Sequence, residues 1–166
     1  MARIVCADTG WIPGGTVLDT HTAAFKTLLQ ILAPTNHDIE LVEWGVQFDT
    51  TGSTPCRVKL ARQTTAGTGA AGNCGTLSNT SLSYIDNEVA GTVQGVAAVG
   101  KQAGAWTAEP TLGTDPVQDV VAVAPASGGY RWVGRPIPIN RADRLGILIW
   151  NPLAAVQVNV VAFWRE

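Results

Sequence analysis

Two stretches in which apolar side chains recur at every second position constrain this chain more than anything else in it. IELVEWGVQF, from Ile39, puts Val42, Trp44, Val46 and Phe48 on one face and Glu43, Gly45 and Gln47 on the other. CRVKLAR resumes the pattern, with Cys56, Val58 and Leu60 inward and Arg57, Lys59 and Ala61 outward. Near the C-terminus RLGILIW aligns Leu145, Ile147 and Ile149, and VQVNVVAFWRE aligns Val156, Val158, Val160, Ala162 and Trp164. Period two is the period of a strand with one buried face. DTTGST and NPLAA place turn-forming residues inside each pair, so the pattern predicts two hairpins, Ile39 to Arg62 and Arg144 to Trp164.

The remaining segments are read against those strands. QDVVAVA is a further strand, and YRWVGRPIPIN sets alternate Tyr130 and Trp132 beside prolines, which fits an edge or irregular strand where a sheet ends or bends. TAEPTLGTDP reads as a turn region, and QTTAGTGAAGNCGT has no apolar period and reads as a rim loop. Between Leu77 and Gly104, NEVAGTVQGVAAVGKQAGA is compatible with a short helix or with a loop holding one buried strand. Gly91, Gly95 and Gly100 would each cost about 1 kcal/mol inside a helix, so packing would have to hold one there. Several strands, Gly/Pro-rich turns and no repeated βα alternation predict an all-β fold: an antiparallel two-sheet β-sandwich of jelly-roll type with at most a short helix in the middle. A length of 166 residues is that of one domain, 1–166, with 1–20 available as an N-terminal arm.

Composition removes whole classes of function. Hydrophobic residues make up 46% and charged residues 14%, against roughly 25% charged in an ordinary domain, which excludes a disordered chain. Only 11 basic and 13 acidic side chains cover a surface that scaling with mass puts at roughly 8,000 Å², so part of it is expected to be buried in a homo-oligomer. A net charge of -2 carries no clustered Lys and Arg for phosphates, so no direct nucleic-acid ligand is expected. MARIVCADTGWIPGG lacks the apolar core of a signal peptide, and no run approaches the 18 or more apolar residues of a membrane span; the expectation is a soluble protein with no membrane partner. Cys6, Cys56 and Cys74 are odd in number and lack CxxC spacing, which predicts reduced, buried thiols in place of a disulfide set or zinc site.

Motifs with chemical meaning are incomplete. Asp8-Thr9-Gly10 spells the DTG turn of aspartic proteases, whose carboxylate must share a proton with a second, but Asp49-Thr50-Thr51-Gly52 carries an extra residue and no second copy follows. Gly95 to Lys101 matches GxxxxGK, yet Gln102 stands where a Ser or Thr hydroxyl would hold magnesium. His21 and His37 lie in separate segments without a nucleophile pattern. Glu43, Glu88 and Glu109 read as solvated carboxylates. Of six Trp, Trp44 and Trp164 fall on apolar strand faces and read as core, leaving Trp11, Trp106, Trp132 and Trp150 for other roles such as stacking on sugars. No catalytic, cofactor-binding or metal-binding residue is expected.

Three blocks, VEWGVQFDTTGSTPCRVKLARQTTAGTGAAG, WTAEPT and YRWVGRPIPINRADRLGILIWNPLAAVQVNVVAFWRE, together resemble small structural proteins of tailed bacteriophages. The shared features are a strand ending in Phe, a Thr/Ser turn, a Pro-initiated strand, an Ala/Gly/Thr loop, an EPT turn and a closing RLGI segment with a terminal Trp and acid. The resemblance covers about half of the chain and brings no catalytic residue with it. It implies a head decoration (cement) protein, a β-sandwich assembled as a trimer that binds the major capsid protein and stabilises the shell. The implied location is the capsid surface of a virion, after synthesis in the host cytoplasm. The alternative is a carbohydrate- or receptor-binding module of a tail or spike; an enzyme ranks third. Ile4, Val5, Trp11 and Ile12 form an apolar N-terminal segment that could act as the assembly contact, as an arm, or form an ordinary edge strand of the same domain.

Overall fold

A computed structural model describes residues 4–8, 17–19, 25–33, 37–48, 52–66, 68–69, 83–84, 97–100, 106–150 and 155–165. Its strands are β1 (Ile4–Asp8), β2 (Val17–Asp19), β3 (Lys26–Leu32), β4 (Ile39–Phe48), β5 (Cys56–Gln63), β6 (Thr68–Gly69), β7 (Ser83–Tyr84), β8 (Ala97–Gly100), β9 (Trp106–Ala108), β10 (Leu112–Val123), β11 (Gly129–Ile139), β12 (Arg144–Trp150) and β13 (Ala155–Arg165). Two antiparallel sheets result. The first runs β11-β4-β13-β1-β7, with β2 also on β13; the second runs β10-β5-β12-β3-β8; β6 and β9 form a separate pair. Among the described residues the only helical turn is the 3-10 turn Pro125–Ser127, which joins β10 to β11. The sequence position for a short helix, Leu77 to Gly104, contributes β7 and β8, and its other residues lie outside those described.

The inner faces of the two sheets share one core. Trp44, Val46, Val158, Val160 and Trp164 from the first sheet meet Leu29, Val58, Leu60, Leu145, Ile147 and Ile149 from the second. The expected alternation therefore holds for β12 and β13, and Trp44 and Trp164 are fully buried. The expected pairing does not. β4 pairs with β11 and β13, while β5 pairs with β10 and β12, so neither predicted hairpin exists. Each turn instead carries the chain from one sheet to the other. Alternation reports which face is apolar, and two strands facing each other across a core show the same alternation as two strands side by side.

Two further corrections concern faces. Against β13, Glu43 pairs with Phe163 and Leu41 with Trp164, so Val42 is an extra residue, a bulge. The bulge moves the inward set from Trp44, Val46 and Phe48 to Leu41 and Ile39, and leaves Val42 half-buried. Lys59 and Ala61, expected outward, are buried as well, because the outer face of the second sheet is also covered. TAEPTLGTDP, expected as a turn, contributes β9 and the start of β10. As the prolines suggested, β11 is an edge strand, and its register with β4 jumps between Val133 and Ile137. It begins at Gly129, where φ is +154° and a Cβ would overlap the carbonyl oxygen of Val46, so only glycine lets the chain enter the sheet there.

Candidate functional site

On the outer face of the second sheet, buried polar side chains form a continuous layer. The Gln30 amide donates to Gln63 Oε1 at 2.7 Å and to the Thr65 carbonyl at 2.9 Å. The Gln63 amide in turn donates to Thr27 Oγ1 at 2.9 Å. The Thr27 backbone N–H donates to Glu109 Oε2 at 3.0 Å, and Glu109 Oε1 lies 3.6 Å from Lys26 Nζ. Gly146 makes room for this layer: a Cβ there would stand 2.5 Å from the Gln63 amide carbon. The effect of these bonds is to fasten residues 65 and 109 onto strands β3 and β5.

Beside this layer Lys59 lies with its Nζ 4.0 Å from the centre of the Phe25 ring. Burial holds its pKa below the usual lysine value, because the charged form loses water there. Arg57 lies over the Trp150 ring at 5.4 Å, so the guanidinium occupies a face that a sugar would need.

The second feature is the open rim where β10 and β11 end their sheets. Each leaves a row of backbone groups without a ladder partner among the described residues. Val117, Val120 and Val133 are 47%, 57% and 66% exposed here, the large hydrophobics most open to solvent among the described residues. Tyr130 closes the gap between the two strands: its hydroxyl donates to Asp119 Oδ2 at 3.1 Å, and its ring lies 5.2 Å from that of Trp44. On the outer face of the first sheet, Arg131 grips Glu43 through Nε at 2.6 Å and Nη2 at 2.9 Å. This rim exposes three valines among polar and charged side chains, is built on strands and is free of obstruction by helices among the described residues. It can bind another β-strand or an apolar surface.

The residues singled out in the sequence are scattered. Ile4 and Val5 lie in β1, paired with Arg165 and Trp164 of β13, and Val5 pairs on the other side with Tyr84 of β7, so this part of the segment is a strand inside the sheet and not the edge strand weighed against an arm; Trp11 and Ile12 lie outside the described residues. Asp8 ends β1 opposite Val161, and Thr9 and Gly10 lie outside the described residues. Residues 97–100 of the GxxxxGK string form an extended strand on β3, whereas a phosphate-binding loop curves into a helix. Glu43 holds Arg131, and Glu109 is the half-buried anchor described above, not the solvated carboxylate expected. Trp132 and Trp150 are half-buried; Cys56 is buried, and His21, Cys74, Glu88 and Lys101 lie outside the described residues. Among the described residues no group of three or more His, Cys, Asp or Glu side chains converges as metal ligands would.

Sequence reasoning missed both features. The glutamine layer depends on three strands placed side by side, which no single segment shows. The rim had a visible signal, the two proline-interrupted segments on either side of APASGG, the first of them valine-rich. No protein-family model, no curated protein and no solved structure matches the chain.

Proposed function

We propose that this protein is a non-enzymatic structural component of a bacteriophage virion, a head decoration (cement) protein that assembles as a homotrimer and binds the major capsid protein. The observation that carries the reading is the open rim of β10 and β11, where three exposed valines flank strand edges that have no ladder partner among the described residues. An open strand edge with exposed valines is a liability in a monomer and an asset in an assembly. The strand order also supports the finer fold. In chain order β1, β3, β4, β5, β10, β11, β12 and β13 fall into the orders β11-β4-β13-β1 and β10-β5-β12-β3, an arrangement in keeping with a jelly roll. The sequence resemblance to phage structural proteins, and a surface sparse in charge, point the same way.

A trimer that touches several shell subunits at once gains from multivalency, since each added contact raises the free energy needed to open the shell. Two measurements test the reading. Light scattering should give an oligomer at tens of micromolar, and the protein should cosediment with expanded, empty shells. A monomer that shells fail to retain overturns it, and glycan-array binding in its place would favour a tail or spike module.

A further inference from the structure

Lys59 is the only charged side chain buried among the described residues, 8% exposed, and none of them offers its ammonium a carboxylate or another acceptor. Its contact is the Phe25 ring, 4.0 Å from Nζ. A ring face offsets only part of what an ammonium loses on leaving water, and a buried charge is ordinarily paired. The register shows why this one is not. On the outer face Val120 and Leu148 flank Lys59, and Ala122 and Trp150 flank Arg57, all of them uncharged. Of the acids on neighbouring segments, Asp119 accepts from Tyr130, and Glu109 is held by Lys26 and the Thr27 N–H. We propose that Lys59 and Arg57 form a site for a small organic monocarboxylate, with one carboxylate oxygen on each cation. The site lies on the outer face of the second sheet and does not depend on the virion reading.

Geometry makes the two cations a pair. They occupy successive outward positions of β5, which puts their Cα atoms about 6.5–7 Å apart, within the span that two long side chains close around one carboxylate. Arg57 is exposed, so an anion enters beside it and meets the buried ammonium last. The ring occupies one side of that ammonium, and an ammonium has three N–H donors to distribute. Burial alone holds the Lys59 pKa down, with no carboxylate to raise it, and a bound anion reverses that balance.

The number of donors selects the ligand. β5 is an inner strand, laddered to β10 on one side and β12 on the other, so its backbone N–H groups are spent in the sheet. Two cationic side chains are what remains. A carboxylate has two oxygens and satisfies both cations, the guanidinium by charge-assisted bonds. Phosphate brings further oxygens and more charge into a place with no donors for them. The Trp150 face is already taken by Arg57 at 5.4 Å, so the ligand is held by its acid group and not by stacking on that face.

Titration of the isotope-labelled protein with sodium acetate against sodium chloride, at constant ionic strength, reads the site by amide NMR. Acetate at tens of millimolar should give saturating shifts centred on residues 57–59 and 148–150, and phosphate should give none there. Lys59→Met keeps an unbranched apolar stem and removes the charge; it should melt no lower than the parent and lose the acetate response. Arg57→Gln changes an exposed residue, folds independently of the outcome for Lys59, and should bind acetate about tenfold more weakly. Circular dichroism verifies both folds. Absence of a saturating response in the parent overturns the inference, as does a response located elsewhere, one that phosphate reproduces, or one that either variant keeps at full strength. A clear drop in the melting temperature of a folded Lys59→Met would show the ammonium satisfied without a ligand and would overturn it as well.

Discussion

Cys56 sits in the core opposite Val123, and burial pushes its thiol up to about 11 from an ordinary 9.0. Between those values the folded chain keeps a proton that the unfolded chain releases, so this group stabilises the fold fully below pH 9 and loses that contribution as pH rises towards 11. At pH 8 a thiol reagent should therefore modify Cys56 only as fast as the protein opens, with modification at that site accelerating in step with urea unfolding. Rapid labelling in native buffer, located at Cys56 by peptide mapping, would contradict the buried placement. Gly146 offers a second test at this scale. A methyl group there must displace the Gln63 side chain, which breaks the bonds from Gln30 and to Thr27 and strands buried amide groups. Gly146→Ala should cost about 2 kcal/mol or more in urea titration, from unsatisfied buried polar groups at about 1–3 kcal/mol each. A value near zero would mean that the glutamine layer repacks freely.

At the scale of elements, the sequence showed the faces of strands better than their partners. Val58, Leu60, Ile147, Val158 and Trp164 are all in the core where alternation put them, because burial of one face is a local pattern. β4 and β5 were misread as a hairpin because seven residues of Thr, Gly, Ser and Pro character can reverse a chain within a sheet or carry it across to the facing one. The Val42 bulge was invisible for a related reason: it is defined by the neighbour β13, which lies more than a hundred residues away. The rim behaves as an element of its own, held by Tyr130 and Asp119 at the turn end of β10 and β11. Tyr130→Phe removes a hydrogen bond to a carboxylate and should cost about 1.5–3 kcal/mol, less if water reaches Asp119 in its place. Burial, with the bond to Asp119, raises the Tyr130 phenol above 10.0, so its contribution too is complete below pH 10 and fades above it. The variant should accordingly lose less stability than the parent on going from pH 9 to pH 11, and identical pH profiles would sever Tyr130 from the closure of the rim.

Across the whole molecule, the beginning and end of the chain are bound together. β1 lies between β13 and β7, with Ile4–Asp8 paired along Arg165–Val161, and β13 in turn pairs with β4. An arm that serves only the shell could be removed without harm to the isolated protein. A strand inside a sheet cannot, because its loss leaves the backbone groups of β13 unpaired beside the buried Ala162 and Trp164. Deleting residues 2–12 should therefore lower the melting temperature of the isolated protein by at least about 5 °C, taking 2–4 °C per kcal/mol for a chain of this size. Val5→Pro should act in the same direction without shortening the chain, since proline inside a sheet removes a ladder donor. Scanning calorimetry on both variants, with shell retention measured on the same samples, separates the roles. If melting is unchanged and retention alone is lost, residues 4–8 act as an arm after all, and the pairing with β13 contributes nothing that the sheet needs.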